Sequence, residues 1–291
     1  MVSALGIAKI SHLIIDTTSS TPRIAMSSFS LFESVTSTIT KAVAPLLSGK
    51  MQRKYVIIPI FPNTTGYPNT SVDCSSVACL EFVKQNATRN NPASVVAAID
   101  AFAASNTMMN VGAGKGAIVD AEIRQKKPRA MAEIGAYTGY STVRFASAQR
   151  EAAKAAGIDS HYYSFEYSPE FAARAREMVS FAGLDDQVTV IQGAFSDQLH
   201  HLKGKTVDIY FIDHDKSLYV PDAEKIIASG TLQPGSLLIA DNVLIPGAPE
   251  YLTFLEEHPQ LKPVLHKVPL DLFTWVNDAI SVATYTSVAS Q

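Results

Sequence analysis

The chain has only two cysteines, Cys74 and Cys79, among 291 residues. Their spacing matches no zinc or thiol-redox motif, so a reducing compartment is the default expectation. No apolar run approaches the roughly 20 residues that a helix needs to cross a bilayer. An excess of one charge is also missing: the formal charge is −3 and 18% of residues are charged. That balance gives no electrostatic reason to expect nucleic acid. Nothing indicates an obligate protein partner. What is plentiful is apolar surface: 47% of residues are hydrophobic, enough for one large core or a core plus a tail.

Acidic residues are scarce over residues 1–48, where Ser and Thr abound. ISHLII is too short for a secretory signal. An acid-poor leader with Lys9 and Arg23 admits a mitochondrial transit peptide, but the plainer expectation is a cytoplasmic protein with a partly disordered extension and a short helix around 29–46. The stretch IIPIFPNTTGYPNTSVDCSS, 57–76, contains Pro59, Pro62, Pro68 and Gly66 and has no helical or strand period, which predicts a loop. Asn63, Asn69 and Asn86 head N-x-[ST] triplets, expected to be chance matches without a secretory signal.

Beyond this point helices and strands alternate. SVVAAIDAFAAS predicts an amphipathic helix with Val95, Ile99 and Phe102 on one side. KGAIVDAEIRQKK continues helically, RAMAEIGAY is a short apolar run, and STVRFASAQREAAKAAG is a helix ending in a capping glycine. HYYSFEYS, QVTVIQG, VDIYFID and GSLLIADN predict strands, and PEFAARAREMVSFAG a helix with proline first and glycine last. The pattern predicts a mainly parallel, doubly wound α/β sheet with helices on both faces.

In such sheets the working residues lie beyond the carboxyl ends of the strands. VDIYFI delivers Asp213, His214, Asp215 and Lys216 there; LLIA delivers Asp241 and Asn242. If these strands are neighbours, Asp213, Asp241 and Asn242 converge as three oxygen ligands suited to Mg²⁺. Taken singly, each aspartate reads as readily as a loop cap. Upstream, AEIGAYTGYST is a strand, a glycine turn and a helix start. Gly135 and Gly139 permit close backbone approach, and the amides at the helix start suit an anionic group. Tyr137 would crowd a pyrophosphate, which argues against a dinucleotide. Glu166 ends the next strand, where an acid can accept hydrogen bonds from both hydroxyls of a ribose; the plainer role is a helix cap before Pro169.

The ordered series MMNVGAGKG, AEIGAYTGYS, the Glu166 strand end, FAGLDDQVTVIQGA, FIDHDKSLY and ADNVLIPGAPEYL resembles the catechol O-methyltransferase family, from about residue 79 to about 285. The resemblance implies a Rossmann-like methyltransferase domain over 79–291, preceded by an extension over 1–48 and by a helix start over 49–78 that a Pro/Asn-rich insertion interrupts. Residues 54–78 then read as a lid, a surface loop or a retained intron, with the last two favoured.

The resemblance also implies Mg²⁺-dependent methyl transfer from S-adenosylmethionine to one hydroxyl of a small catechol or other vicinal diphenol. It places Asp213, Asp241 and Asn242 as metal ligands and Lys216 as general base. Met109, Asn110, Val111, Gly135, Tyr137, Tyr140, Ser141, Glu166, Ser196, Asp213 and His214 fall around the methyl donor. Lys216, Asn242, Pro246 and Asp271 fall around the catechol, with Asp271 one methylene shorter than the family's glutamate. Three departures stand out: Thr107 replaces an aromatic cover, Asp215 replaces a tryptophan, and Phe195-Ser196 replaces Ser-Gln near the adenine. A more open mouth keeps two alternatives in view: a cation-dependent methyltransferase of larger phenols, and a binding module that has lost activity. For Lys216 the plain alternative is an exposed partner of Asp213 or Asp215.

Overall fold

The computed structural model describes residues 12–16, 23–25, 55–59, 69–106, 108–270 and 273–287. It divides into two units, 1–69 and 70–291. In the first unit, β1 (His12–Asp16) pairs antiparallel with β2 (Arg23–Ala25) and β3 (Tyr55–Pro59), giving the order β2-β1-β3. The helix expected around 29–46, and residues 49–53, lie outside the described residues.

The second unit opens with α1 (Asn69–Asn86). This corrects the loop expected over 57–76, since β3 occupies its start and α1 its end. The composition misled because all three prolines precede the helix, where proline does no harm. The period becomes apolar only later, at the buried Cys79, Leu80 and Val83. Two helices follow, α2 (Pro92–Ala103) and α3 (Gly112–Lys126). Asn91 caps α2, its side chain accepting the Ser94 amide at 3.1 Å, and Val95, Ile99 and Phe102 are buried as expected.

The seven-stranded sheet consists of β4 (Ala130–Ile134), β5 (His161–Glu166), β6 (Val188–Gln192), β7 (Ile209–Ile212), β8 (Leu237–Ala240), β9 (Leu261–Leu270) and β10 (Phe273–Tyr285), in the order β6-β5-β4-β7-β8-β10-β9. The first five run parallel; β10 and β9 are antiparallel additions. Pro263 and Pro269 sit on β9, an edge strand, where a missing amide costs nothing on the open side. Between the strands run α4 (Tyr140–Ala156), α5 (Pro169–Ala182), the short α6 (Phe195–Gln198), α7 (Tyr219–Ala228) and α8 (Pro249–Glu257). On α5 the Ser168 side chain accepts the Phe171 amide, Pro169 opens the first turn and Gly183 closes the last.

Buried strands alternate faces with period two. Ile209, Phe211, Leu237 and Ile239 join one core with Val83, Ile99, Val119 and Phe145. Tyr210, Ile212, Leu238 and Ala240 join the other with Tyr219, Ile226, Tyr251 and Leu255. Helices therefore cover both faces, and the parallel strands point their carboxyl ends to one edge. No helix among the described residues is long and apolar enough to cross a membrane.

Candidate functional site

Two close approaches bring the strand ends together. Gly135 follows β4 with φ +99°, and a Cβ on it would come within 2.3 Å of the Asp213 carbonyl oxygen. Only glycine tolerates both. The Asp213 amide donates to Ile134 at 2.9 Å, and the Asp241 amide donates to Ile212 at 3.0 Å. Ile212 and Ala240 are register partners, so Asp213 and Asp241 leave adjacent parallel strands side by side, which meets the condition on which their convergence was expected.

The glycine turn is held from the next strand. Glu166 accepts the Ala136 and Tyr137 amides on one oxygen, at 3.0 and 2.9 Å, and the Ser168 amide on the other at 2.9 Å. The anion at this turn is thus the chain's own carboxylate. Burial raises the Glu166 pKa, and the three amide hydrogen bonds work against that rise. Just before α3, both polar atoms of the Asn110 side-chain amide are buried without a hydrogen-bond partner. Such an orphaned amide fits a polar ligand. Met109 is half exposed and Val111 is buried. Tyr137 stands at φ +50° with its ring edge-on to Phe171 at 4.9 Å. The Tyr140 hydroxyl accepts from Arg144 at 3.0 Å, and Arg144 also pairs with Asp120 at 2.8 Å. Burial pushes the Tyr140 pKa up to about 12, so this phenol stays protonated.

The residues of the loop after β7 are densely tied. Lys216 Nζ lies 3.2 Å from Asp213 Oδ1 and donates to the Tyr219 hydroxyl, which donates to the Asp241 carbonyl at 3.0 Å. Asp215 is exposed and caps its own turn, accepting the Ser217 amide at 2.9 Å and the Ser217 hydroxyl at 2.7 Å. Those two bonds lower its pKa. The plain alternative for Lys216 is met as far as Asp213 goes, but the lysine is four-fifths buried. His214 Nε2 sits 2.8 Å from Asp222 Oδ2, and its ring stacks on Tyr219 at 5.3 Å.

Asp241 is 1% exposed; Lys115 Nζ lies 2.7 Å from its Oδ1 as an ion pair, at angles that do not make a regular hydrogen bond, and Oδ2 has no partner. Burial drives the Asp241 pKa up, the Asp213 charge adds to this, and Lys115 opposes both. Asn242 takes a left-handed turn at φ +55° and donates its side-chain Nδ2 to Asp278 Oδ2 at 2.8 Å, leaving the amide oxygen uncommitted. Among the described residues no three His, Cys, Asp or Glu side chains gather as a metal cage. The expected donors are two carboxylates and an amide, and a buried carboxylate oxygen without a partner, beside a free amide oxygen, fits a hard divalent cation.

Pro246 is exposed in the wide turn Val243–Gly247 that follows Asn242. Asp271 and Thr107 lie outside the described residues. The adenine-side change has a packing cause: Phe195 is buried edge-on against Phe165 at 5.1 Å and Tyr210 at 6.4 Å, so it serves the core, while the neighbouring Ser196 is half-buried. Ser141 is buried at the start of α4.

Sequence reasoning missed Tyr219, Lys115, Asp278 and Glu133. Glu133 and Asp278 had a signal, a charge inside an apolar strand run, which is costly unless paired. Glu133 is wholly buried and accepts from Thr142 at 2.5 Å and Ser164 at 2.6 Å, and burial raises its pKa to about 7.

Residues 132–243 match a family model described as a methyltransferase domain. Over 211 residues the chain is 35% identical to catechol O-methyltransferase B of Danio rerio, covering 71% of this chain and 77% of that protein. Over 181 residues it is 42% identical to catechol O-methyltransferase of Bos taurus, covering 60% of this chain and 64% of that protein. Among solved structures, an O-methyltransferase from Bacillus cereus in complex with SAH superposes with a TM-score of 0.54 at 21% identity, over 75% of this chain and 99% of that one. At that identity the likeness concerns the fold.

Proposed function

The chain belongs to the O-methyltransferase family that includes the catechol O-methyltransferases, and from that premise we propose that it moves the methyl group of S-adenosylmethionine to one hydroxyl of a catechol with Mg²⁺ bound. The observation that carries the reading is the corner at the ends of β7 and β8. There the end of β8 carries a buried Asp241 oxygen without a partner and the Asn242 amide oxygen, and the adjacent end of β7 carries the Asp213 carboxylate 3.2 Å from Lys216 Nζ.

In this reading Asp213, Asp241 and Asn242 hold the cation, and a bound Mg²⁺ supplies Lewis acidity that favours the phenolate of a ring with two adjacent oxygens. Lys216 is assigned as the general base that takes up the phenol proton at Nζ. Asp213 and Tyr219 fix the direction of that nitrogen. The substrate oxygen forms a bond to the methyl carbon as the carbon–sulfur bond breaks, leaving a thioether and a methyl ether. Charge is neutralised in that step, so the protein's share is orientation and exclusion of water. Asn110, Glu166 and the glycine turn are assigned to the methyl donor. The SAH complex of the Bacillus cereus relative supports a donor of this class.

The test is direct. Incubation with S-adenosylmethionine, Mg²⁺ and a simple catechol is expected to yield the mono-methyl ether, and a chelator is expected to stop it. A larger phenolic ester methylated in place of catechol would move the substrate to the related class. No turnover on either, with S-adenosylmethionine still bound, would leave a binding module.

A further inference from the structure

Asp278 lies on β10, which runs antiparallel to β8 with Ser281 opposite Ala240. Residues of β10 before Ser281 therefore extend beyond the end of β8, into the corner where Asp241 and Asn242 emerge. Asp278 is 1% exposed, and four donors converge on it: Asn242 Nδ2 at 2.8 Å, Lys115 Nζ at 2.7 Å, the Ile245 amide at 2.9 Å and the adjoining Ala279 amide at 2.7 Å. Lys115 comes from the first turn of α3 and is 11% exposed; it touches Asp278 and Asp241 at the same 2.7 Å.

The consequence for the two proposed ligands is geometric. A side-chain amide can present either its oxygen or its nitrogen, and the bond to Asp278 consumes the nitrogen. A carboxylate can present either oxygen, and Lys115 occupies Oδ1 of Asp241. One oxygen of each ligand is thereby left for a cation. The Asp278 carboxylate also accepts the Ile245 amide, and so holds the turn that carries Pro246.

We infer that the Lys115–Asp278 pair is a positioning brace that fixes which oxygen of Asp241 and which atom of Asn242 face the divalent cation. Neither residue touches the cation or the substrate. The inference rests on the metal reading given above. The opposing view has the Lys115 ammonium as a tethered competitor for the cation's place. The two differ in sign: loss of a competitor strengthens cation binding, and loss of a brace weakens it.

The experiment measures binding of Mn²⁺ alone, by loss of its free-ion electron paramagnetic resonance signal, to the full chain and to Asp278→Asn, Lys115→Met and the double variant. S-adenosylmethionine affinity and the unfolding midpoint are recorded for each. The brace predicts a roughly 10- to 100-fold weaker Mn²⁺ affinity in each single variant, the range typical of residues that orient metal ligands. The double variant should be little worse than the weaker single, because the two act as one unit. Should Asp278→Asn fail to fold, Lys115→Met still decides, since Asp278 then keeps its bonds to Asn242 and Ile245. Unchanged or tighter Mn²⁺ binding in folded Lys115→Met overturns the brace. Failure of the unaltered chain to bind Mn²⁺ sinks the metal reading itself, a result distinguishable from the first.

Discussion

Lys216 rests on Tyr219: the ammonium donates to the phenol oxygen, and that phenol donates in turn to the Asp241 carbonyl at 3.0 Å. The proposed base on β7's loop is thus linked through one buried hydroxyl to the backbone of the strand end that carries a proposed metal ligand.

Replacing Lys216 by Met is expected to lower turnover by roughly a hundredfold or more while S-adenosylmethionine affinity holds. Tyr219→Phe leaves the ammonium with Asp213 as its acceptor and is expected to give a smaller loss of kcat, with about 1 kcal/mol of stability lost with the hydroxyl's bonds. Steady-state kinetics and urea unfolding measure the two effects. An unchanged rate for Lys216→Met with a catechol of ordinary acidity would remove Lys216 from the chemistry.

Asp241→Ala is expected to abolish Mg²⁺-dependent turnover with the fold intact, because it deletes a donor and little core volume. Lys115 keeps Asp278 as a partner in this variant. Turnover titrated with Mg²⁺, together with circular dichroism, checks both halves. Near-wild-type rates would mean that the cation, if needed, sits elsewhere.

Glu133 should make stability depend on pH. Burial raises its pKa in the folded chain from 4.5 to about 7. Below about 4.5 both folded and unfolded chains carry the proton, so the group costs nothing. Between about 4.5 and 7 the unfolded chain gives up a proton that the folded chain keeps, and stability falls as pH rises. Above about 7 the penalty is complete, on the order of 3 kcal/mol for a shift of this size. Glu133→Gln is expected to flatten that decline. Urea midpoints from pH 4.5 to 8 that run parallel in both proteins would contradict this.

Gly135→Ala is expected to cost about 2 kcal/mol or more, since it places a side chain at φ +99° and against the Asp213 carbonyl. Thermal unfolding reads the cost. A loss of only a few tenths would show that the β4 and β7 ends can move apart.

Much of this architecture was legible because local signals and the sheet rule agreed. Ser168, Pro169 and Gly183 bound α5 by side-chain and backbone chemistry that any reader of the chain can apply. Asp213 and Asp241 could be paired because both follow short apolar runs and parallel strands end together. The brace was not legible, since Lys115 and Asp278 meet only through the antiparallel β10, and that strand gave no turn signal that fixed its neighbour. The first turns of α1 were hidden by Ser, Asn and Cys, which seldom announce a helix. Phe195 looked like a change at the adenine because sequence position alone cannot tell a pocket wall from a core side chain, and it turns towards Phe165 and Tyr210.

Lys115 and Asp278 are 163 residues apart in the chain. Synthesis proceeds at about 5–20 residues per second from the N-terminus, so Asp241 and Asn242 leave the ribosome before the segment that anchors them. Among the described residues β9 joins the sheet through β10, and β10 joins it through β8, so β9 cannot add before β10. With the brace as inferred, a nascent chain holding every proposed ligand still presents Asn242 unaligned. Methyl transfer is thereby tied to completion of the sheet, and a translation product stopped before β10 would be inert.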